Sequence, residues 1–424
     1  MLNIKFIREN HDLVIERLKI KNFDAKEIIK EIIRLDDLRK QTQAEQDKLQ
    51  SEINAISKEI GQMFNEGKTK EADISKERSL FLKEEVKQLH KSMQDLEKEL
   101  NDLLIQVPNI PHESVTPGKG EKENIEIRKW GKIPELNSGA LPHWELGKKY
   151  DILDFDLGNK LTGAGFPVFK NMGAKLQRSL IQFFLDEAVN AGYKEILPPL
   201  MVNEDSGFGT GQLPDKEGQM YHIPSDNLYL IPTSEVPVTN IYRDVILNAI
   251  DFPVKNTSYT PCFRREAGSY GKDVRGLNRV HQFDKVEIVQ IQHPDHSYDT
   301  LDEMVAHVES LLKKLELPFR IMRLCGGDIS FTSALTYDFE VYAAAQKKWL
   351  EVSSVSNFES FQANRLKLRF KESGEKKTQP AHTLNGSALA LPRIVAAILE
   401  NNQTPEGILV PQILTDYTVF DIIC

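Results

Sequence analysis

Phe263-Arg264-Arg265-Glu266-Ala267-Gly268 and, beyond a glycine-bearing loop, Arg279-Val280-His281-Gln282-Phe283-Asp284-Lys285-Val286-Glu287 form the densest polar region of the sequence. Residues 258–265 and 279–291 read as two long strands joined by a turn-rich loop rather than by a helix, the pattern of an antiparallel pair. Strand side chains alternate between faces. Arg264 and Glu266 are therefore expected on one face, and Arg279, His281, Phe283 and Glu287 on one face of the second strand. An arginine fork, an aromatic ring and carboxylates on a common surface suit a nucleotide and an ammonium group: arginine binds phosphate, the ring stacks on a base, the carboxylate holds the amine. The same residues also fit a solvated hairpin with cross-strand ion pairs. His281 alone reads as a packed structural residue.

Strand-like runs at 195–202 and 228–232 are likewise followed by turns. Leu176, Leu180, Phe184 and Ala188 make one helical face closed by Gly192, and residues 298–315 read as a second helix. The expectation is α+β: an antiparallel sheet with helices packed on it, not a doubly wound parallel sheet. Gly207-Phe208-Gly209-Thr210-Gly211 is glycine-rich, but it has neither the spacing of a dinucleotide fingerprint nor the Lys-Ser/Thr of a P-loop, and is expected to be a loop. No His/Cys/Asp/Glu cluster has zinc-site spacing.

The N-terminal quarter differs. Residues 28–105 contain no proline and are dense in charge. Leu49, Ile53, Ile56, Ile60 and Met63, and then Val86, Leu89, Met93, Leu96, Leu100 and Leu103, step by threes and fours as two heptad seams. Asn65-Glu66-Gly67-Lys68 breaks them, which predicts an antiparallel hairpin of helices each about 45 Å long. The first seam has a polar middle at Arg39, Thr42 and Gln46. By itself such a hairpin fits dimerisation or spacing; Lys68, Lys70, Lys76 and Arg78 near its tip hint only mildly at phosphate contact. Prolines at 108, 111 and 117 then mark a linker of about 108–124, dividing an arm domain, 1–107, from a second domain, 108–424.

The 424 residues are a prior for roughly two to three domains. The formal net charge of −9 argues against coating nucleic acid along the whole surface, so any RNA contact is expected to be local. No apolar run is long enough for a membrane, and the first ten residues lack the apolar core of a secretory signal. Cys262, Cys325 and Cys424 form no C-x-x-C pair, which points to a reducing compartment, the cytoplasm.

Taken together, these segments resemble a known family. The pair Phe263–Gly268 and His281–Glu287 looks like motif 2 of class II aminoacyl-tRNA synthetases in its seryl form. Gly192-Tyr193 through Pro198-Pro199 resembles motif 1, the dimer element, and Gly386-Ser387-Ala388-Leu389-Ala390-Leu391-Pro392-Arg393 resembles motif 3. Thr233-Ser234-Glu235, and Glu351-Val352-Ser353-Ser354 running into Ser356-Asn357-Phe358, are similar to segments of the seryl branch, as is the helical arm of its bacterial type. The resemblance covers essentially the whole chain. It implies a class II sheet flanked by helices behind a two-helix tRNA-binding arm, and ATP-dependent activation of serine followed by transfer to tRNA(Ser), with tRNA(Sec) a further acceptor. It also implies a cytoplasmic homodimer and Mg2+ with ATP.

Residue by residue, the resemblance implies Arg264 at the α-phosphate, with Arg265 and Glu266 beside it, and Phe283 under adenine. Glu351, Val352, Ser353 and Ser354 would lie along ATP, with Glu351 and Ser354 holding the metal, and Arg393 would meet the outer phosphates. Thr233, Ser234, Glu235, Glu287 and Ser387 would form the serine pocket. Arg264 and Arg393 would stabilise charge in the reaction. Arg265 departs from many relatives, which have a small residue there, and this bears only on local ATP-loop contacts. Other class II activities, a carrier-protein loader, and a scaffold built on an inactive core are the competing readings. The long arm speaks against the loader, and the presence of Arg264, Phe283, Glu351 and Arg393 against the inactive core.

Overall fold

The computed structural model describes residues 1–215, 217–266 and 275–424; Ala267 and Gly268 of the arginine-bearing segment lie outside the described residues. The chain divides into two compact units, residues 1–19 with 23–108, and residues 20–22 with 109–424.

In the first unit, helices α1 (Lys26–Asn65) and α2 (Thr69–Leu104) form the arm. The turn between them holds Gly67 at φ +74°, which a side chain would strain. Ile53, Ile56 and Leu82 are buried in the seam, with Leu49, Ile60 and Val86 against them. Towards the tip the seam of α2 continues through Ala72 and Ser79, both buried. Small residues keep the 3.5-residue repeat there without a hydropathy signal, which is why the apolar reading began only at Val86. Arg39 interrupts the first seam for a local reason. Its Nη2 lies 2.9 Å from Oδ1 of the buried Asp36, on which Lys40 (2.7 Å) and Arg8 (3.1 Å) also converge.

The second unit is built on eight strands: β1 (Ile125–Trp130), β2 (Lys194–Glu195), β3 (Val254–Phe263), β4 (Gln282–Gln292), β5 (Phe319–Arg323), β6 (Leu335–Ala343), β7 (Lys348–Asn357) and β8 (His382–Ala390). Their order is β1-β5-β6-β7-β8-β4-β3-β2. Every neighbouring pair is antiparallel except β2 with β3. Helices α3 (Asn171–Asn190), α4 (Ser297–Lys314) and α5 (Leu391–Asn401) pack on this sheet. Leu176, Leu180, Phe184 and Ala188 of α3 join Val286 and Ile288 of β4 in one core. Lys285 and Glu287, alternating with them, are turned to the other face, which is how a strand buried on both sides carries charge on one.

Several sequence readings shift. The predicted strand at 195–202 is two short strands, Lys194–Glu195 and Met201–Val202, because Pro198-Pro199 lacks the ladder donors. The glycine-rich stretch is not a loop but a short helix, Glu204–Thr210. Asn203 caps its start by accepting from Ser206 N, and Gly211 ends it at φ +92°. Gly207 and Gly209 serve packing: a Cβ would fall 2.8 Å from Leu213 Cδ1 and 2.7 Å from Leu366 Cδ2. β3 ends at Phe263 and β4 starts at Gln282, so alternation does not place Arg264, Glu266, Arg279 or His281. Ser387 lies inside β8.

Candidate active site

Glu287 is the centre of an enclosed polar group. Its register partners are Ser258 on β3 and Ser387 on β8. Lys285 Nζ stands 2.5 Å from Glu287 Oε2, and Thr233 Oγ1 donates to the same oxygen at 3.0 Å. Thr233 Oγ1 also accepts from Glu235 N at 3.2 Å, at the start of the short helix Glu235–Asn240. Glu235 Oε1 accepts from Gln362 Nε2 at 2.6 Å, and Gln362 Oε1 accepts from Thr383 Oγ1 at 2.7 Å, which fixes the orientation of the amide. Lys285, Glu287, Glu235 and Gln362 are all buried. Burial, with the charge of Glu287 adding to it, pushes the Glu235 carboxyl up to about 7, against the pull of Gln362, Lys285 and Asn385. Ser234 is buried, with its hydroxyl unpartnered among the described residues.

The other half of the site is more open. Arg264 leans over the Phe283 ring, 5.2 Å from guanidinium carbon to centroid, and its Nε approaches Pro232 O at 3.4 Å, beside Thr233. Arg265 stands over Tyr221 at 6.0 Å, while its backbone N donates to Gln219 O at 2.8 Å. Glu266, at φ +48°, pairs with Arg279. His281 is structural: its ring stacks on Phe166 and its Nδ1 lies 3.0 Å from Arg264 O.

On β7, Ser353 faces Phe339 while Glu351 faces Glu340, so Val352 is an extra residue in the ladder. This bulge puts Glu351 and Ser354, three apart, on one side, where an unbroken strand would oppose them. Val352 itself is buried in the core, so only its backbone is available to a ligand. Ser353 Oγ donates to Ser387 O at 2.5 Å, tying β7 to the enclosed group. Arg393, in the first turn of α5, donates from Nη1 to Glu351 O at 2.7 Å and from Nε to Asn278 O at 2.9 Å. Asp338, opposite Ser354 in the register, is half-buried, and its Oδ1 is enclosed and unpartnered among the described residues. Burial and then the charge of Glu351 raise its carboxyl well above the usual carboxylate range, opposed by Ser354.

Contacts thus run from Glu235 through Thr233 and Glu287 to Ser387, Ser353 and the β7 bulge, and through Pro232 to Arg264 and Phe283. Sequence reasoning assigned no role to Lys285, Gln362 or Asp338. Lys285 could have been found, since it alternates with Phe283 and Glu287. Gln362, on the helix Ser360–Leu366, and Asp338 carried no local signal.

An antiparallel sheet bearing arginine, phenyl and carboxylate groups in this way defines a class II aminoacyl-tRNA synthetase core. Residues 221–402 match the tRNA synthetase class II core domain (G, H, P, S and T), and residues 1–111 the seryl-tRNA synthetase N-terminal domain. The chain is 47% identical over 421 residues, 99% of its length and 98% of the relative's, to the serine–tRNA ligase of Salinibacter ruber. It is 43% identical over 423 residues, 99% of each chain, to that of Carboxydothermus hydrogenoformans. The crystal structure of seryl-tRNA synthetase from Pyrococcus horikoshii complexed with ATP superposes with a TM-score of 0.93 at 33% identity, covering 100% of this chain and 99% of the other. The chain belongs to the seryl-tRNA synthetase family, and its activity is that of a serine–tRNA ligase.

Proposed function

We propose that this site joins serine to ATP and then to tRNA(Ser) with the following division of labour. The carboxylate of serine attacks the α-phosphorus, forming seryl-adenylate as pyrophosphate leaves. The 3′-hydroxyl of the terminal adenosine of tRNA then attacks the adenylate carbonyl and AMP leaves. No protein atom forms a covalent bond. Arg264 binds the α-phosphate, where charge grows in the transition state, and Phe283 stacks on adenine. Arg393 takes the outer phosphates. Arg265 and Glu266 border ATP on the loop side, and the backbone of Val352 and Ser353 runs along it.

Glu235 and Glu287 take the ammonium end of serine, with Thr233, Ser234 and Ser387 around its small side chain. A pocket that offers polar partners to the hydroxyl leaves them unpaired when alanine enters. The observation that carries this reading is the single contact path joining Glu235, Glu287, Ser387, Arg264 and Phe283 on one sheet face.

Mg2+ fits the donor set. Glu351, Ser354 and the unpartnered Asp338 Oδ1 are all hard oxygens, and Mg2+ takes one or two carboxylates and completes its shell with water and phosphate. When bound, it would neutralise charge on the phosphate oxygens. The arm, residues 1–107, is the proposed tRNA-binding domain, and residues 108–424 the catalytic one. tRNA(Sec) is a second acceptor on the strength of the family resemblance. A homodimer through 192–199 accords with the exposure of Leu197, Leu200 and Met201. No helix among the described residues is long and apolar enough to cross a membrane, and the cytoplasm is the proposed compartment.

The test is amino-acid-dependent pyrophosphate exchange. Serine alone among the twenty should support it, and Arg264→Ala should abolish it with the circular dichroism spectrum unchanged. Exchange near the wild-type rate in that variant would remove the phosphate role. Deleting 36–100 should spare exchange and lower tRNA charging by at least about a hundredfold, the scale of a lost multi-phosphate contact; equal loss of both half-reactions would make the arm a stability element.

A further inference from the structure

Behind Arg393 lies a buried polar cluster with no part in the chemistry above. Glu400, near the end of α5, and His143, the first residue of the helix His143–Lys149, are both wholly buried. Glu400 Oε1 accepts from His143 N at 3.0 Å and from Gln346 Nε2 at 2.7 Å, and lies 2.8 Å from His143 Nδ1. Glu400 Oε2 accepts from Gln346 N at 3.1 Å. On the far side of the imidazole, Leu277 N donates to His143 Nε2 at 2.8 Å. Nε2 is therefore the unprotonated nitrogen, and the ring proton sits on Nδ1 facing Glu400, a tautomer assigned from these hydrogen bonds.

The cluster grips the segment 275–278 at consecutive points. Besides the Leu277 N–H, Gln346 Oε1 accepts from Asn278 Nδ2 at 2.8 Å. Gly276, at φ +70°, passes so close that a Cβ would fall 2.2 Å from His143 Nε2. The Arg275 guanidinium lies 4.7 Å over the Trp144 ring. The carbonyl that this grip orients, Asn278 O, is the one that receives Arg393 Nε. An apolar set of the same volume would hold these elements together with no less stability. It could not fix the direction of one backbone N–H and, one residue on, one carbonyl.

We propose that His143, Glu400 and Gln346 are positioning residues for Arg393: through Leu277 and Asn278 they set the guanidinium at the angle from which it meets the outer phosphates of ATP. This rests on the placement of Arg393 given above. Gln346 is half-buried, so it is the residue to truncate first.

In pyrophosphate exchange on active-site-titrated enzyme, Gln346→Ala should raise the KM for ATP about five- to tenfold, the worth of one net hydrogen bond. The KM for serine should move less than about twofold. His143→Asn keeps a donor towards Glu400 and loses the acceptor for Leu277, and should show the same ATP-selective change. Because the effect passes through Arg393, Gln346→Ala added to Arg393→Ala should raise the ATP KM no further. Equal changes in both KM values, or a full multiplicative effect on top of Arg393→Ala, would reduce the cluster to structure and overturn the proposal. A normal ATP defect in Arg393→Ala with none in Gln346→Ala or His143→Asn would overturn it alone. An unchanged ATP KM in Arg393→Ala would overturn the placement of Arg393, and the positioning proposal with it.

Discussion

The two ends of the site are built on opposite principles. At the proposed serine end, Glu235, Glu287 and Lys285 are buried and already tied to Thr233, Gln362 and one another before any ligand arrives. At the proposed ATP end, Glu351 is half-exposed and Arg393 a third exposed, and Arg264 rests on the ring it would share with adenine. The difference follows the ligands. Serine is small, and a pocket can select it only by rigid, desolvated partners whose positions are set in advance. ATP brings several charges, so exposed groups can organise around it.

The largest combined effect on activity and stability should come from breaking the enclosed end. Glu287→Gln leaves Lys285 buried opposite a neutral amide. It should lower kcat/KM for serine about a thousandfold and destabilise the fold by about 3 kcal/mol, as removal of one partner from a buried pair does. The KM for ATP should stay within about twofold. Exchange kinetics and urea unfolding measure both quantities; a change confined to ATP would contradict the division between the ends. At the open end, Glu351→Gln should raise the Mg2+ needed for half-maximal exchange about ten- to a hundredfold with little change in urea midpoint. A loss of stability as large as that of Glu287→Gln would show the two ends to be alike.

The same contrast governs what could be read from the sequence. The arm was legible because a 3.5-residue repeat survives without any tertiary context, and its break fell at the observed turn. The enclosed end was legible only in part. Glu287 and Phe283 alternate on a strand that reads plainly, but Gln362 enters from a short helix and meets Glu235 across 127 residues of sequence. The side of β7 on which Glu351 and Ser354 meet was not derivable by counting, since it depends on an unpaired Val352. Alternation failed for Arg264 and Arg279 because both lie past strand ends, where backbone direction is set by neighbours such as Gly165, whose carbonyl receives His281 N.

The smallest expected effect is also the most specific to the enclosed end. Burial first, and then the charge of Glu287, hold the Glu235 carboxyl at about 7, against an ordinary value of 4.5. Between about pH 4.5 and 7 the folded protein therefore holds a proton there that the unfolded chain has largely lost. The sign for stability is negative with rising pH: the contribution is neutral below about 4.5, grows unfavourable between 4.5 and 7, and is constant above 7. In the proposed pocket, the ammonium of serine needs the ionised carboxylate. Below 7, serine must displace the proton, so its KM should fall about tenfold from pH 6 to pH 8 and level off, with ATP unaffected over the same range. Calorimetry in buffers of different ionisation enthalpy should register net proton release on serine binding at pH 6 and little at pH 8. Glu235→Gln should bind serine more weakly and remove the slope. A flat serine KM in the unsubstituted enzyme would mean that Lys285 and Asn385 already keep Glu235 ionised, and the enclosed end would then be prepared in charge as well as in shape.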